Sequence, residues 1–255
     1  EYNGAYNGSE KFSSDNRFAF FQSGAVGWMI SDEPFMKWFR DNKIIDMLKI
    51  RASYGEIGDD NVGDRFLYQT QWSYGGTTKL DSTKPNSASP YTGYKESKVG
   101  NPNIHWEKAV KQNLGIDYSL LNGLIAGTLE FFHEKRSDIM IAGGNRAVPQ
   151  YFGAQAPYMN KGRTKTTGYE LEMRLKYTFA NGLHAYANMN MTHAKNVVLE
   201  HDDPAYLPDY QKNAGFAIGQ GKSYIDNGTA QTWDEVIAMT PHNTNDNQKL
   251  TGQYI

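Results

Sequence analysis

From Gly168 to Phe179 the chain alternates without a break. Tyr169, Leu171, Met173, Leu175, Tyr177 and Phe179 fall on one face, and Glu170, Glu172, Arg174, Lys176 and Thr178 on the other. A period of two sends successive side chains to opposite faces, so this stretch predicts a strand with one apolar and one polar face. It belongs to a set of four long alternating segments, 106–120, 124–140, 166–179 and 183–198. Asn122-Gly123 joins the first pair and Asn181-Gly182 the second. Asn-Gly between alternating runs predicts a hairpin, because a type I′ turn needs positive φ at both central residues.

A soluble antiparallel sheet packed on a core carries this pattern, and so does a membrane barrel with lipid on one face and a polar lumen on the other. Segment length separates them. Tilted strands need about 9–11 residues to cross a bilayer, against the usual ~5–6 of soluble sheets. The four segments are long enough to span, and the pattern favours an all-β, antiparallel, up-and-down transmembrane barrel.

The rest of the chain extends the series. Residues 1–12 are a strand candidate running into a turn, and 17–30 is the next strand, with Phe18, Phe20, Val26, Trp28 and Ile30 on one face. Ser31-Asp32-Glu33-Pro34 reads as a helix start with Ser31 as N-cap, leading into a short helix over 35–42. In 47–55, Leu48, Ile50, Ala52 and Tyr54 alternate with Lys49, Arg51 and Ser53. Residues 56–103 are rich in Gly, Asp, Ser and Thr and predict a long loop with one strand over 65–74; 143–163 predicts another loop. Residues 1–199 thus form the strand-rich segment, and 200–255 read as mostly irregular, with a short strand or helix near 233–239. Strict up-and-down order puts both Asn-Gly turns and the 31–46 connection at one end, and the long loops at the other. Short periplasmic turns opposite long extracellular loops are the outer-membrane arrangement.

Composition changes this picture little. Hydrophobic residues make up 39% of the 255, and mean hydropathy is -0.68. No run is apolar enough for a spanning helix, while barrel strands average out as polar. Aromatics at 13% suit interfacial girdles. The absence of cysteine removes disulfides and thiolate chemistry, and a net charge of -2 gives no footprint for nucleic acid. The opening Glu1-Tyr2-Asn3 carries no export signal and the closing residues carry no strand pattern, so truncation at both ends is expected.

No catalytic, cofactor or metal constellation emerges. His105, His133, His184, His193, His201 and His242 form no HExxH or i,i+4 pair, and His193 and His201 read as strand-end and loop residues. Asp59-Asp60-Asn61 with Asp64 offers hard oxygens to Ca²⁺, but without EF-hand spacing an acidic loop tip is the plainer reading. Asp202-Asp203 and 243–247 stand the same way, and Gly219-Gln220-Gly221 lacks the strand–helix context of a nucleotide loop. Glu170, Glu172, Arg174 and Lys176 line the polar face, where water and cross-strand pairing account for them. Tyr151, Phe152, Tyr158 and Tyr206 fall in expected extracellular loops, able to stack on sugar rings, to meet a partner, or simply to pack within the loops.

Ordered motifs add a resemblance. Gly27-Trp28, then Ser31 to Phe35 (SDEPF), Leu48 to Gly55 (LKIRASYG), Asn101 to Glu107 (NPNIHWE), Lys135 to Asp138 (KRSD), Asn160-x-Gly162 and Gly168-x-Glu170 follow one another. The series, over about 2–198, resembles SusC/RagA-type TonB-linked outer-membrane transporters. The resemblance implies a probably 22-stranded, plugged barrel of which this chain holds some seven or eight strands, lying in the outer membrane of a Bacteroidetes-like Gram-negative cell. It implies import of a glycan or peptide delivered by a SusD-like surface lipoprotein, with energy from the TonB complex through a segment expected outside this sequence. It implies no cofactor and no substrate-binding residue that can be named. A passive porin or structural outer-membrane barrel, and a soluble carbohydrate-binding β domain, are the other readings.

Overall fold

A computed structural model describes residues 1–61, 63–78, 91–222 and 231–238. Seven strands form one antiparallel sheet in the order β1-β2-β3-β6-β7-β8-β9. They are β1 (Tyr2–Gly8), β2 (Phe18–Met29), β3 (Ile45–Asp59), β6 (Glu107–Leu120), β7 (Ile125–Ile141), β8 (Met159–Thr178) and β9 (His184–Glu200). Between β3 and β6, β4 (Gln71–Thr78) and β5 (Tyr91–Lys98) pair as a separate ribbon. Residues 1–218 make one compact unit and 219–255 another.

Strict up-and-down order holds. Connections 30–44, 121–124 and 179–183 sit at one end; the connections that follow β1, β3 and β7, and residues 201–218 after β9, leave from the other.

Register turns the alternation of each strand into continuous rows. On the outward face Trp28, Ile50, Ile116, Leu129, Leu171 and Met191 lie side by side from β2 to β9. The next row holds Val26, Ala52, Leu114, Phe131, Tyr169 and His193. The strands are staggered. Trp28 and Leu171 share a row, yet the outward apolar run extends from there towards Phe18 on β2 and towards Phe179 on β8. An apolar belt that drifts diagonally across the rows is what tilted barrel strands produce. Along β8 the run from Tyr169 to Phe179, at about 3.3 Å per residue and ~40° of tilt, gives a height of ~25 Å, that of a barrel's lipid-facing band. Tyr177 and Phe179 stack edge-on at the turn end, and Tyr2, Tyr6, Phe18 and Tyr54 are exposed towards the loop end.

The two Asn-Gly turns differ. At the first, Asn122 and Gly123 have φ of 58° and 77°, and the Leu124 amide donates to the Leu121 carbonyl at 3.3 Å. The two central residues carry the positive φ of the predicted type I′ turn, and Leu121 before them shares it at 55°, so the strands pair only from Leu120 and Ile125 outward. At the second, Gly182 alone has positive φ, 83°. Its amide donates to Phe179 O, and the Leu183 amide donates to the Asn181 side chain. The loop is a type I turn closed by a left-handed glycine, the three-residue alternative, because Asn181 spends its side chain on a local turn.

The expected cap at Ser31 is absent. Residues 30–32 and 34–36 are 3₁₀ turns, and α1 (Lys37–Asp41) begins only after them. Glu33 is extended (φ -71°, ψ 147°), as the residue before Pro34 must tend to be, so no helix runs through from Ser31. Strand is found over 71–78 rather than 65–74, because Phe66 turns at φ 58°. β5 and the first residues of β8 lie where loop is expected. In the latter, Asn160 clamps the His105 and Asp138 carbonyls and Gly162 packs against Ile139. In the second unit α2 (Trp233–Ala238) is a helix opened by a capping box in which Thr232 and Glu235 exchange bonds.

Candidate functional site

The inward face is polar where the outward face is greasy. One inward row holds Gly27, Arg51, Gly115, Glu130, Glu170 and Thr192, and the next Lys49, Asp117, Thr128, Glu172 and Asn190. Arg51 reaches two strands away. It bonds Asp117 at 3.3 Å and Glu130 beyond it. Gly115 makes the reach possible, since a Cβ there would stand 2.8 Å from the guanidinium carbon. Thr128 adds a hydroxyl to Asp117 at 3.2 Å.

Of the expected lumen residues, Glu172 and Arg174 pair at 2.6 Å. Glu170 faces Glu130 directly across β7 and β8, an arrangement of like charges that costs stability unless a cation intervenes. Arg51 serves Glu130 and leaves Glu170 with no hydrogen bond or ion pair among the described residues. A recess of about 430 Å³ opens here between Arg51, Glu130, Glu170, Glu172 and Asn190. It is an acidic stretch of lumen wall, suited to water, cationic side chains and hydroxyl-rich solutes.

Above it the loops build a collar. Phe12, Leu67 and Ile104 are fully buried together, with Trp106, Met140 and Tyr158 packed against them. Phe12 and Trp106 rings are 5.4 Å apart, and the Trp106 indole donates to Arg17 O. Tyr158 therefore packs, with Lys98 over its ring at 5.8 Å. Tyr151 (91% exposed) and Tyr206 (99%) point into solvent, as does half of Phe152.

The acidic candidates are spoken for. Asp60 takes the Ser9 hydroxyl and Lys11, Asp64 takes Lys98, and Asp59 turns back onto the Asn61 amide. Among the described residues no three His, Asp or Glu side chains converge as a metal site; 243–247 lies outside the described residues. Asp202 ties loop 142–158 to the end of β9 through Lys161 (2.6 Å), Arg146 (3.3 Å) and the Ala147 amide. Asp203 receives the Asn213 and Ala214 amides and His201.

Burial pushes the Asp202 carboxyl up; Lys161, the Ala147 amide and Arg146 more than offset it, leaving it below the ordinary aspartate range. Asp203 follows the same balance, its burial outweighed by the Ala214 and Asn213 amides and His201. A depressed carboxyl stabilises fully above its unfolded value, about 3.9, and ceases to do so as pH falls through the lower folded value. Hydrogen exchange in 142–158 and 201–216, corrected for intrinsic rates, is therefore expected to hold its protection from neutral pH down to about pH 4 and to lose it below that. In Asp202→Asn the amides around Arg146 should be unprotected already at pH 7; protection there equal to wild type would show that Asp202 does not hold the loop.

Residues 2–252 match the family described as "TonB dependent receptor-like, beta-barrel". The chain belongs to the TonB-dependent receptor β-barrel family. Its sheet is part of an outer-membrane barrel, with the outward rows on lipid and the inward rows on the lumen. The TonB-dependent receptor SusC of Bacteroides thetaiotaomicron is 29% identical over 230 residues, covering 86% of this chain and 21% of that protein. Receptor P26 of Formosa agariphila is 26% identical over 77% of this chain and 18% of its own length. The chain thus spans about a fifth of the relatives it matches. A solved structure of the RagAB peptide importer in its closed-closed state superposes with a TM-score of 0.65 at 21% identity, over 82% of this chain and 22% of that one. The open-open state gives 0.64 over 77% and 20%.

The Arg51–Asp117–Glu130 cluster and the collar core are not visible before register is known. The one signal for the former is the unbroken polar alternation of Lys49, Arg51 and Ser53.

Proposed function

We propose that this chain forms part of the wall of an outer-membrane importer that takes up a glycan or peptide, energised by the TonB complex and served by a SusD-like surface lipoprotein. The family match over residues 2–252 carries this reading. It is supported by SusC among the relatives and by a peptide importer among the structures of like fold. The solute would bind at the loop end, beneath the lipoprotein, and pass the polar wall of Arg51, Glu130 and Glu170. No bond in it is made or broken. Tyr151, Phe152 and Tyr206 present exposed ring faces at that end, the surfaces on which sugar rings or a lid would stack.

The test is uptake in cells with and without the gene, using labelled oligosaccharide and peptide pools, each with and without an uncoupler of the proton-motive force. Gene-dependent, uncoupler-sensitive uptake of one pool is expected, with a drop of at least about tenfold on deletion, as removal of an energised carrier leaves only leakage. Gene-dependent uptake indifferent to the uncoupler would replace this reading by a passive pore. Uptake of both pools unchanged by deletion would overturn it.

A further inference from the structure

On the outward face, three neighbouring strands end their apolar runs in the same way. Phe131 on β7, Tyr169 on β8 and Met191 on β9 are followed, one outward position further towards the loop end, by His133, Thr167 and His193. One position beyond these come Lys135, Lys165 and Lys195. Lys135 and Lys165 are direct cross-strand partners, and Lys195 lies opposite Thr167, diagonal to Lys165. None of the three has a hydrogen bond or ion pair among the described residues. Their basic neighbours on this face are served: Lys108 holds Glu56 at 2.9 Å and Arg163 holds Glu200 at 3.3 Å. Like charges directly opposite are unfavourable in a sheet without a counter-ion.

A groove starts just below. It has a volume of about 850 Å³ and runs between the row of Val26, Ala52, Leu114 and Phe131 and the row ending in Tyr54 and His133. The row between them, Ala25, Ser53, Asn113 and Phe132, has its side chains on the other face and supplies the floor. The groove therefore opens on the lipid side. It crosses β2, β3, β6 and β7, about 14 Å at ~4.8 Å per strand, and ends against Glu1 and Tyr2 at the start of β1. Because the apolar belt drifts diagonally across the rows, a row that lies near the outer boundary at Phe131 lies deep in the belt at Val26. The groove descends from beneath Lys135 into the hydrocarbon.

We propose that Lys135, Lys165 and Lys195 bind the phosphorylated headgroup of an outer-leaflet glycolipid, one of whose acyl chains lies in the groove from His133 and Phe131 to Val26. The lysines supply the charge that a headgroup phosphate lacks, at the depth where headgroups sit. The groove supplies an apolar floor that begins within reach of the same headgroup. A free anion would use the lysines alone and leave the groove unexplained.

The test uses the protein extracted from outer membranes, delipidated in neutral detergent, and counts bound lipid by native mass spectrometry. The probes are lipid A, enzymatically dephosphorylated lipid A, and inorganic phosphate as competitor. One phosphorylated lipid A per barrel is expected, with dephosphorylated lipid A binding roughly a hundredfold more weakly, the scale of three lysines at an anionic surface. The triple variant K135Q/K165Q/K195Q should show the same loss, and K135R/K165R/K195R should bind as wild type. Millimolar phosphate should leave the lipid in place. Equal binding of both lipid forms to the wild-type protein would overturn the proposal, a result independent of whether any variant assembles. So would undiminished binding by the assembled glutamine variant. Full displacement by phosphate would show a free-anion site and overturn the lipid assignment.

Discussion

Met173→Arg should cost the barrel about 2–4 kcal/mol and Thr167→Arg only about 0–1, because the penalty for a cation on the lipid face falls steeply from midplane to interface. Met173 lies midway along the outward run of β8, between Tyr169 and Phe179, and faces Gly127 and Met189 on its neighbours. An arginine there has hydrocarbon on every side and no acidic partner, since the outward run of β8 from Tyr169 to Phe179 carries none. Leu171→Arg, one outward position nearer the loop end, should fall between. Thr167 already sits beside His133 and Lys195, past the apolar run. The readout is the heat-modifiable fraction of full-length protein in outer membranes. It should collapse for Met173→Arg and persist for Thr167→Arg. Normal assembly of both Met173→Arg and Leu171→Arg would show that this face does not meet lipid.

Phe12→Ala should destabilise the collar by about 3–5 kcal/mol, the usual cost of truncating a fully buried phenylalanine. Phe12 is 0% exposed and is the contribution of the β1–β2 loop to a core otherwise made by Leu67 and Ile104, against the Trp106 ring. The sheet itself is held by its ladder and by lipid, so the loss stays in the loops. Exchange of the Ser9 and Asn101 amides, which donate to Arg17 and Leu67, should accelerate by roughly 10²- to 10³-fold as local opening becomes easier. Assembly should be unaffected. Acceleration of only a few fold would mean that hydrogen bonds such as those of Asn16 and Ser13 to Pro102, not apolar burial, hold the collar.

These two effects mark what the sequence could and could not disclose. Strands and their sidedness were legible because lipid and lumen impose opposite polarity on alternate residues, and Gly168 to Phe179 shows nothing else. The family was legible because the SDEPF and LKIRASYG motifs follow in order. The collar was not, since Phe12, Leu67 and Ile104 stand alone among polar residues and share no period. The ribbon of β4 and β5 was read only in part, because Gly75-Gly76 and the threonines beside it break alternation. The second hairpin shows the limit of a dipeptide rule: Asn181 and Asn122 precede the same residue, yet Asn181 folds back on its own backbone. The unequal fates of Glu130 and Glu170 rest on a guanidinium reaching over Gly115, which only register reveals.

The turns and the collar also differ in when they can exist. The hairpin at Leu121–Leu124 closes on residues adjacent in sequence, and so can form while the chain is still arriving. The collar joins residues far apart, Arg17 with Trp106 and Asn16 with Pro102, and must wait until β1, β2, β3 and β6 lie side by side. Contacts that join residues far apart in sequence carry a larger loop-closure cost than a local turn. The collar is thus expected to act as a latch set after insertion, slowing how the assembled wall comes apart more than how it goes in.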